Sequence, residues 1–318
     1  MPELVTIGET SVVFVAKKLG KMRYSTEFEI RPGGAEATVA VGLVRMGHSA
    51  GWVSRLGNDE LGYYLLSLIR GEGVDVSQVD MSDTEQTALF LRERLPGGKA
   101  RHFYYRAGSA FSTMDAGDLD ESYIAGAGIL HLTGITPALS DSCLRMVQKA
   151  IEIAKNHHVA ISFDPNIRKK LWDCARARET LEPIFKQADY ILPGIEDLEA
   201  LYGPNIDELE ILRYLHNLGC RNVVMKLGSR GALVGPFGEK PTYVQSKPVE
   251  HPVDLMGAGD AFAAGFLSGL LEHSSLVDAA EIGNGVARIA IQALGNIESL
   301  PTRQELELER SNKTVVDR

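Results

Sequence analysis

Cysteine is scarce. Cys143, Cys174 and Cys220 are the only three in 318 residues, far apart, with no Cys-x-x-Cys pair and no histidine at ligand spacing. So odd and sparse a set weighs against a disulfide framework or a thiolate metal site and suits a reducing compartment. The one histidine pair, His157-His158, reads as the end of a helix, because adjacent helical residues point in different directions. No run of about eighteen apolar residues occurs, so no membrane-spanning helix is expected. The opening stretch Met1-Pro2-Glu3-Leu4-Val5-Thr6-Ile7-Gly8 lacks the basic segment and apolar core of a secretory signal, and a cytoplasmic location is the expectation. Basic residues are in deficit, 33 against 42 acidic, for a net charge of −9. That balance argues against nucleic acid or an anionic membrane as partner, although an acidic protein can still hold a basic pocket. Also missing are Gly-x-x-x-x-Gly-Lys-Ser/Thr, a Gly-x-Gly-x-x-Gly after the first strand, and Gly-x-Ser-x-Gly. Their absence weighs against a P-loop, a nicotinamide-binding fold and a hydrolase elbow.

What is present is ordinary globular material, 44% hydrophobic and 24% charged, enough to bury a core without cross-links. Apolar β-rich runs at 4–8, 51–56, 129–133, 159–164, 190–192 and 223–227 alternate with helical patterns at 35–46, 59–70, 140–157, 175–186 and 208–218. That rhythm predicts βαβ units and a mostly parallel sheet in an α/β fold, with helices on both faces, and the uniformly apolar strands agree. One domain over 1–318 accommodates the whole chain. Segments 11–30 and 87–106 break the rhythm; the second reads as a hairpin turning at Pro96-Gly97-Gly98. The two segments are expected to pair into a small sheet over the carboxyl ends of the core strands, as a lid. Such a sheet has costly open edges, so a homodimer through the lid is expected. A charged helix at 304–310 and a polar tail close the chain.

The sharpest local feature is Asp254-Leu255-Met256-Gly257-Ala258-Gly259-Asp260, followed by a helix apolar all round. Small residues before Asp260 permit a tight turn whose backbone N–H groups face an anion at a helix start. A carboxylate beside an anion hole is what phosphoryl transfer to an alcohol requires. Taken alone, the glycines read first as serving close helix packing and Asp260 as a helix cap. The second feature is Arg31-Pro32-Gly33-Gly34-Ala35-Glu36-Ala37-Thr38, a glycine pair before a helix rich in small residues. Its backbone would allow close approach of a sugar, or simply make a loop-to-helix junction.

Together these two stretches resemble the two signatures of the ribokinase-like (PfkB) carbohydrate kinases, and Lys226-Leu227-Gly228-Ser229-Arg230-Gly231-Ala232 between them resembles that family's nucleotide-side strand and turn. Asn284 and Gly295 fall where the family has its late adenine-side helix. The resemblance implies a three-layer α/β/α core with a β lid, and an ATP-dependent phosphotransferase with an alcohol acceptor. Asp260 would be the base, and the N–H groups of Gly257, Ala258 and Gly259 would steady the developing charge. Lys226, Gly228, Gly231 and Asn284 would lie on the nucleotide side, and Mg2+ would bridge ATP phosphates mostly through water. Within the family the stretches Phe103–Ala110, 131–140 and 163–172 are similar to kinases of 2-keto-3-deoxygluconate. That similarity gives Gly33, Gly34, Tyr104, Tyr105, Arg106 and Arg168 to the sugar, the arginines pairing with its carboxylate as planar guanidinium groups do. On the residues alone, Arg168 equally fits a surface ion pair and Arg106 a lid residue facing water.

The chain also departs from the family. Thr38 stands where Asn is common, and Leu255 and Met256 where small polar residues are common. Gly194-Ile195-Glu196-Asp197 replaces Asn-x-x-Glu, leaving Asp197 to help the metal through water. These changes keep two alternatives open, a kinase for a neutral sugar such as fructose or a pentose, and a sugar-binding sensor with weak catalysis. A K+ ion near Asp254 is compatible with the sequence.

Overall fold

The computed structural model describes residues 1–96 and 100–311; the expected turn at Gly97-Gly98 and the tail from 312 lie outside the described residues. The elements begin β1 (Leu4–Ile7), β2 (Ser11–Leu19), β3 (Phe28–Gly33), α1 (Ala35–Arg45), β4 (Ala50–Gly57), α2 (Glu60–Gly71) and β5 (Val79–Ser82). Next come β6 (Leu89–Arg94), β7 (Ala100–Tyr105), α3 (Glu121–Ala125), β8 (Ile129–Thr133), α4 (Thr136–Leu139), α5 (Asp141–Asn156) and β9 (Ala160–Asp164). Then follow α6 (Cys174–Phe185), β10 (Tyr190–Ile191), α7 (Ile195–Tyr202), α8 (Glu208–Leu218), β11 (Asn222–Lys226), β12 (Ala232–Pro236) and β13 (Thr242–Val244). The chain ends with α9 (Ala258–Leu271), α10 (Leu276–Ala290) and α11 (Arg303–Arg310).

The larger sheet has the order β13-β12-β11-β10-β9-β8-β1-β4-β5. From β5 to β11 the neighbours are parallel, and β12 and β13 add an antiparallel edge. Every side chain of β1 and β8 is buried, as strands covered on both faces require. One face packs Met146, Val147, Leu181, Phe185 and Leu215 of α5, α6 and α8. The other packs Leu43, Phe262, Phe266 and Val286 of α1, α9 and α10. The short strands β5, β12 and β13 were not expected from the sequence. His157 caps α5 as expected, and His158 takes the left-handed backbone (φ 58°) that ends the helix.

Segments 11–30 and 87–106 supply the smaller sheet, of order β3-β2-β6-β7, with β3 reaching Gly33. Register gives the sheet two distinct faces, because side chains alternate along each strand. Arg31, Val13, Phe90 and Tyr104 form one cross-strand row, and Val13, Val15 and Phe90 close a small buried cluster on that face. Ile30, Phe14, Leu91 and Phe103 form a row on the opposite face. Tyr105 pairs with Leu89 and so lies with this second row, away from Tyr104. Of the Tyr104-Tyr105 pair, only one ring can therefore face a sugar on a given side of the lid, since consecutive strand residues point to opposite faces.

Candidate active site

The start of α9 carries the sharpest local geometry. Gly257, at φ 79°, is a left-handed N-cap that a side chain would strain, and it turns the chain so that Asp260 is the third residue of the helix. The N–H of Ala258 donates to the Leu255 carbonyl at 3.3 Å. Of the expected trio of anion donors, Ala258 is thus engaged within the turn, while the N–H groups of Gly257 and Gly259, with that of Asp260, have no acceptor among the described residues. They stand at the positive end of a helix dipole.

Asp260 is 7% exposed. Burial, reinforced by the neighbouring Asp164 charge, pushes its carboxyl up to about 6, against the opposing pull of Arg168 and Lys226. Asn166 donates its side-chain N–H to Asp260 Oδ1 at 3.3 Å while holding a left-handed backbone (φ 41°), a conformation uncommon outside glycine. Behind them Lys226, at the end of β11, pairs with Asp164, at the end of β9, at 2.5 Å. Burial alone would discharge Lys226, but Asp164 and Asp197 outweigh it and hold the ammonium charged. Asp197 accepts from the backbone N–H of Ile167 (2.7 Å) and Gly194 (2.9 Å), and burial with the Asp164 charge pushes it upward. Each Asp197 oxygen thus accepts one backbone N–H, which fixes the orientation of the carboxylate.

Two adjoining clefts open over this cluster. The first, of about 790 Å³, is lined by Asp164, Asn166, Arg168, Asp197, Lys226 and the turn from Leu255 to Asp260. The second, of about 380 Å³, brings Gly228, Gly231 and Asn284 together with Pro248, Val249 and Phe262. Lys226, Leu255, Ala258 and Gly259 line both, so a molecule with a flat apolar end and an anionic tail can span them. Asn284 spends its side-chain N–H on the Val244 carbonyl (3.0 Å), which makes it a support of this wall. Leu255 stays 67% exposed at the rim, and does not plug the approach.

On the lid side the two arginines differ. Arg106 is committed to Glu9 at 2.6 Å, where the carboxylate is 1% exposed and also accepts from Ser109. Its guanidinium lies over the Tyr104 ring, 5.7 Å from the centroid. Arg168 is exposed and, among the described residues, has no ion-pair partner. Lys170 ties the same loop to the lid through the His102 carbonyl (2.6 Å). A Cβ on Gly34 would stand 2.5 Å from Thr10 Oγ1 and 2.9 Å from the Glu9 carbonyl, so this close approach of backbones requires glycine. Gly33 ends β3 beneath Phe90. Thr38 is fully buried and donates to the Gly34 carbonyl at 2.7 Å, bracing the glycine pair from within its own helix.

Sequence reasoning assigned no role to Glu36, Thr10 or Asn166, and considered Asp254 only as a neighbour of K+. Glu36 is 1% exposed; burial, eased by the Thr133 hydroxyl, leaves its carboxyl at about 7. Its Oε2 and Thr10 Oγ1 are buried without a hydrogen-bond partner among the described residues. Asp254 gives both oxygens to Arg92, each at 2.7 Å. Only the left-handed Asn166, in the Asp-Pro-Asn stretch, carried a local signal; the others depend on partners distant in sequence.

The model of the pfkB family of carbohydrate kinases matches residues 1–303. A 2-dehydro-3-deoxygluconokinase of Bacillus subtilis is 38% identical over 306 residues, covering 96% of this chain and 94% of its own. One from Thermoproteus tenax is 34% identical, with 96% and 94% covered. Fructokinase-1 of Zea mays is 30% identical, with 95% and 96% covered. Among solved structures, a PfkB protein from Polaromonas superposes with a TM-score of 0.87 at 34% identity, covering 96% of this chain and 99% of that one. A candidate ribokinase II from E. coli in complex with ATP and Mg2+ superposes with a TM-score of 0.90 at 25% identity, covering 98% and 100%. A 2-dehydro-3-deoxygluconokinase from Thermotoga maritima gives 0.88 at 25% identity, again covering 98% and 100%.

Proposed function

The chain belongs to the pfkB family of carbohydrate kinases, and from that premise we propose that it moves the γ-phosphoryl of ATP to the primary hydroxyl of a sugar acid, 2-keto-3-deoxygluconate. The observation that carries the reading is a buried carboxylate, Asp260, set beside free N–H groups at a helix start, with the uncommitted Arg168 across the same cleft. Asp260 takes the proton of the attacking hydroxyl, the hydroxyl oxygen bonds to the γ-phosphorus, and the bond to the β-phosphate oxygen breaks to release ADP. The N–H groups of Gly257 and Gly259 receive the charge that grows on the transferred group. Asn166 aims the base. The triphosphate fits the larger cleft and the adenine the smaller one beside Asn284.

Mg2+ supplies charge neutralisation on the phosphates when bound. Asp197 and Glu196 line the larger cleft and would act on the metal through water. A K+ ion near Asp254 would meet a carboxylate already paired with Arg92.

For the sugar, Gly33 and Gly34 give backbone access, and the unpartnered Thr10 Oγ1 against Gly34 suits a hydroxyl group. Arg168 supplies the counter-charge for the carboxylate, with Tyr104 on the lid face above. One observation favours a neutral sugar instead: Glu9 already neutralises Arg106. ATP-dependent phosphorylation of 2-keto-3-deoxygluconate, gluconate, fructose and ribose separates the readings. Preference for the keto-deoxy acid, lost in Arg168→Ala, supports the proposal; equal turnover of fructose, unaffected by that change, refutes the substrate. Binding of a sugar without ATP consumption would refute the kinase assignment itself.

The reading places the enzyme in the cytoplasm as a homodimer. Ile30 and Phe103 on the far face of the lid are 49% and 40% exposed, in an apolar row that a second lid would cover. Light scattering of Phe103→Lys should show a monomer; an unchanged mass excludes this interface.

A further inference from the structure

We propose that Arg92 is a positioning residue for phosphoryl transfer, acting through Asp254 on the turn that receives the phosphate. The inference rests on the kinase reading above. Arg92 belongs to the lid, on the face of β6 that looks onto the core, yet its side chain leaves the sheet to meet a loop from the far end of the chain. Both contacts are 2.7 Å, one from each terminal nitrogen to each carboxylate oxygen. The side chains are 11% and 2% exposed. A fork-to-fork pair so dry fixes direction as well as distance.

Asp254 passes that constraint on. Its Oδ1 also accepts the Met256 N–H at 3.1 Å, so the carboxylate that Arg92 orients shapes the turn one residue before Gly257. The backbone on the other side is pinned by the Val253 and Asp254 N–H groups donating to the Ile291 carbonyl, at 2.8 and 3.3 Å. Burial pushes Asp254 toward neutrality, and Arg92 reverses this and holds it ionised. Without the guanidinium, a buried carboxylate would have reason to leave, taking the turn with it.

Arg92 does not line either cleft over Asp260. It borders a separate small cavity of about 250 Å³ together with Arg94 and Gly295, and both its terminal nitrogens are held by Asp254, which leaves no free fork for ATP or sugar. Its effect is therefore on the placement of donors. A misplacement on the order of 1 Å at a transition-state contact costs roughly 100-fold in rate. The same face of the lid carries Tyr104 toward the sugar side, so a seated lid and a formed anion turn are one structural condition.

The test compares wild type, Arg92→Met, Arg92→Lys and Arg94→Ala with ATP, Mg2+ and the sugar of the panel that wild type phosphorylates fastest. Arg92→Met should lower kcat about 10- to 100-fold with KM for the sugar nearly unchanged. Arg92→Lys, which keeps charge but loses the fork, should fall between it and wild type. Added guanidinium should restore part of the rate of Arg92→Met and leave Arg94→Ala unaffected. Arg92 variants with wild-type kcat overturn the proposal, as does a loss of activity that guanidinium does not relieve and that follows only the folded fraction in thermal melts. If Arg92→Met does not fold, Arg92→Lys with the kcat and KM split decides alone. If wild type phosphorylates no sugar, the kinase reading fails independently. The link is then read from calorimetry, where Arg92→Met should weaken ATP relative to ADP, and equal weakening of both overturns it.

Discussion

Replacing Asp260 by Asn should abolish turnover and at the same time make the free protein more stable. The carboxyl is 7% exposed and its folded value of about 6 lies roughly two units above the ordinary 3.8. At ~1.4 kcal/mol per unit, the ionised side chain costs the fold ~3 kcal/mol. The sign follows from where protons sit. Below about 3.8 the group is protonated in both states and costs nothing. Between about 3.8 and 6 the unfolded chain has ionised while the folded site keeps its proton, so stability falls as pH rises. Above about 6 both are ionised and the whole penalty remains. Asn removes the charge but keeps an oxygen for the Asn166 N–H. Thermal unfolding should therefore rank Asp260→Asn above wild type at pH 8 by several degrees, with the gap shrinking toward pH 4.5. ATP-dependent phosphorylation by the variant should be undetectable. A wild type more stable than the variant at pH 8, or a gap that widens on acidification, would refute the picture of a base held in a desolvated, repulsive site. Retained turnover would refute its role.

The same value sets the acid limb of kcat/KM, which should rise with pH through an apparent pKa near 6, and a profile flat from pH 5 to 8 would point to another base. Charge-assisted hydrogen bonds contribute about 1.5–3 kcal/mol, so Arg168→Ala should lower kcat/KM for an acid sugar roughly 10- to 100-fold and leave neutral sugars and thermal stability nearly unchanged. Arg106→Ala should behave in the opposite way. It strands Glu9, 1% exposed, and should destabilise the fold by about 3–5 kcal/mol, readable as a lowered denaturation midpoint.

Uniformly apolar runs exposed the parallel core because burial on both faces leaves no polar alternation to confuse, as in Leu4–Ile7 and Ile129–Thr133. The antiparallel edge did not show. Ala232–Pro236 and Thr242–Val244 are short, the first follows Gly231 and the second Pro241, and they acquire strand geometry only by pairing with Asn222–Lys226 and with each other. The split of Tyr104 from Tyr105 needs nothing beyond strand alternation once the hairpin is placed. It escaped because a motif match assigns a pair of residues and not a face.

The site divides along the same line. The turn at Gly257 was legible because its cause is local: a left-handed residue, two small neighbours and a helix start lie within a few positions. The Arg92–Asp254 pair spans 162 residues, and neither partner sits in a pattern that names the other. The two sugar-side arginines show why this matters for function. In sequence Arg106 and Arg168 are equivalent cations near aromatic and small residues. In the fold one has been neutralised by a buried glutamate and the other has not. Recognition of a carboxylate depends on net charge left over after internal pairing, and internal pairing is decided by tertiary contacts. Under the proposed reading, substrate preference would follow the charge state of the Glu9–Arg106–Arg168 group as a whole. A Glu9→Gln variant, which frees Arg106 while keeping its hydrogen-bond acceptor, should shift kcat/KM toward acid sugars, and a shift toward neutral ones would show that Arg106 does not face the substrate.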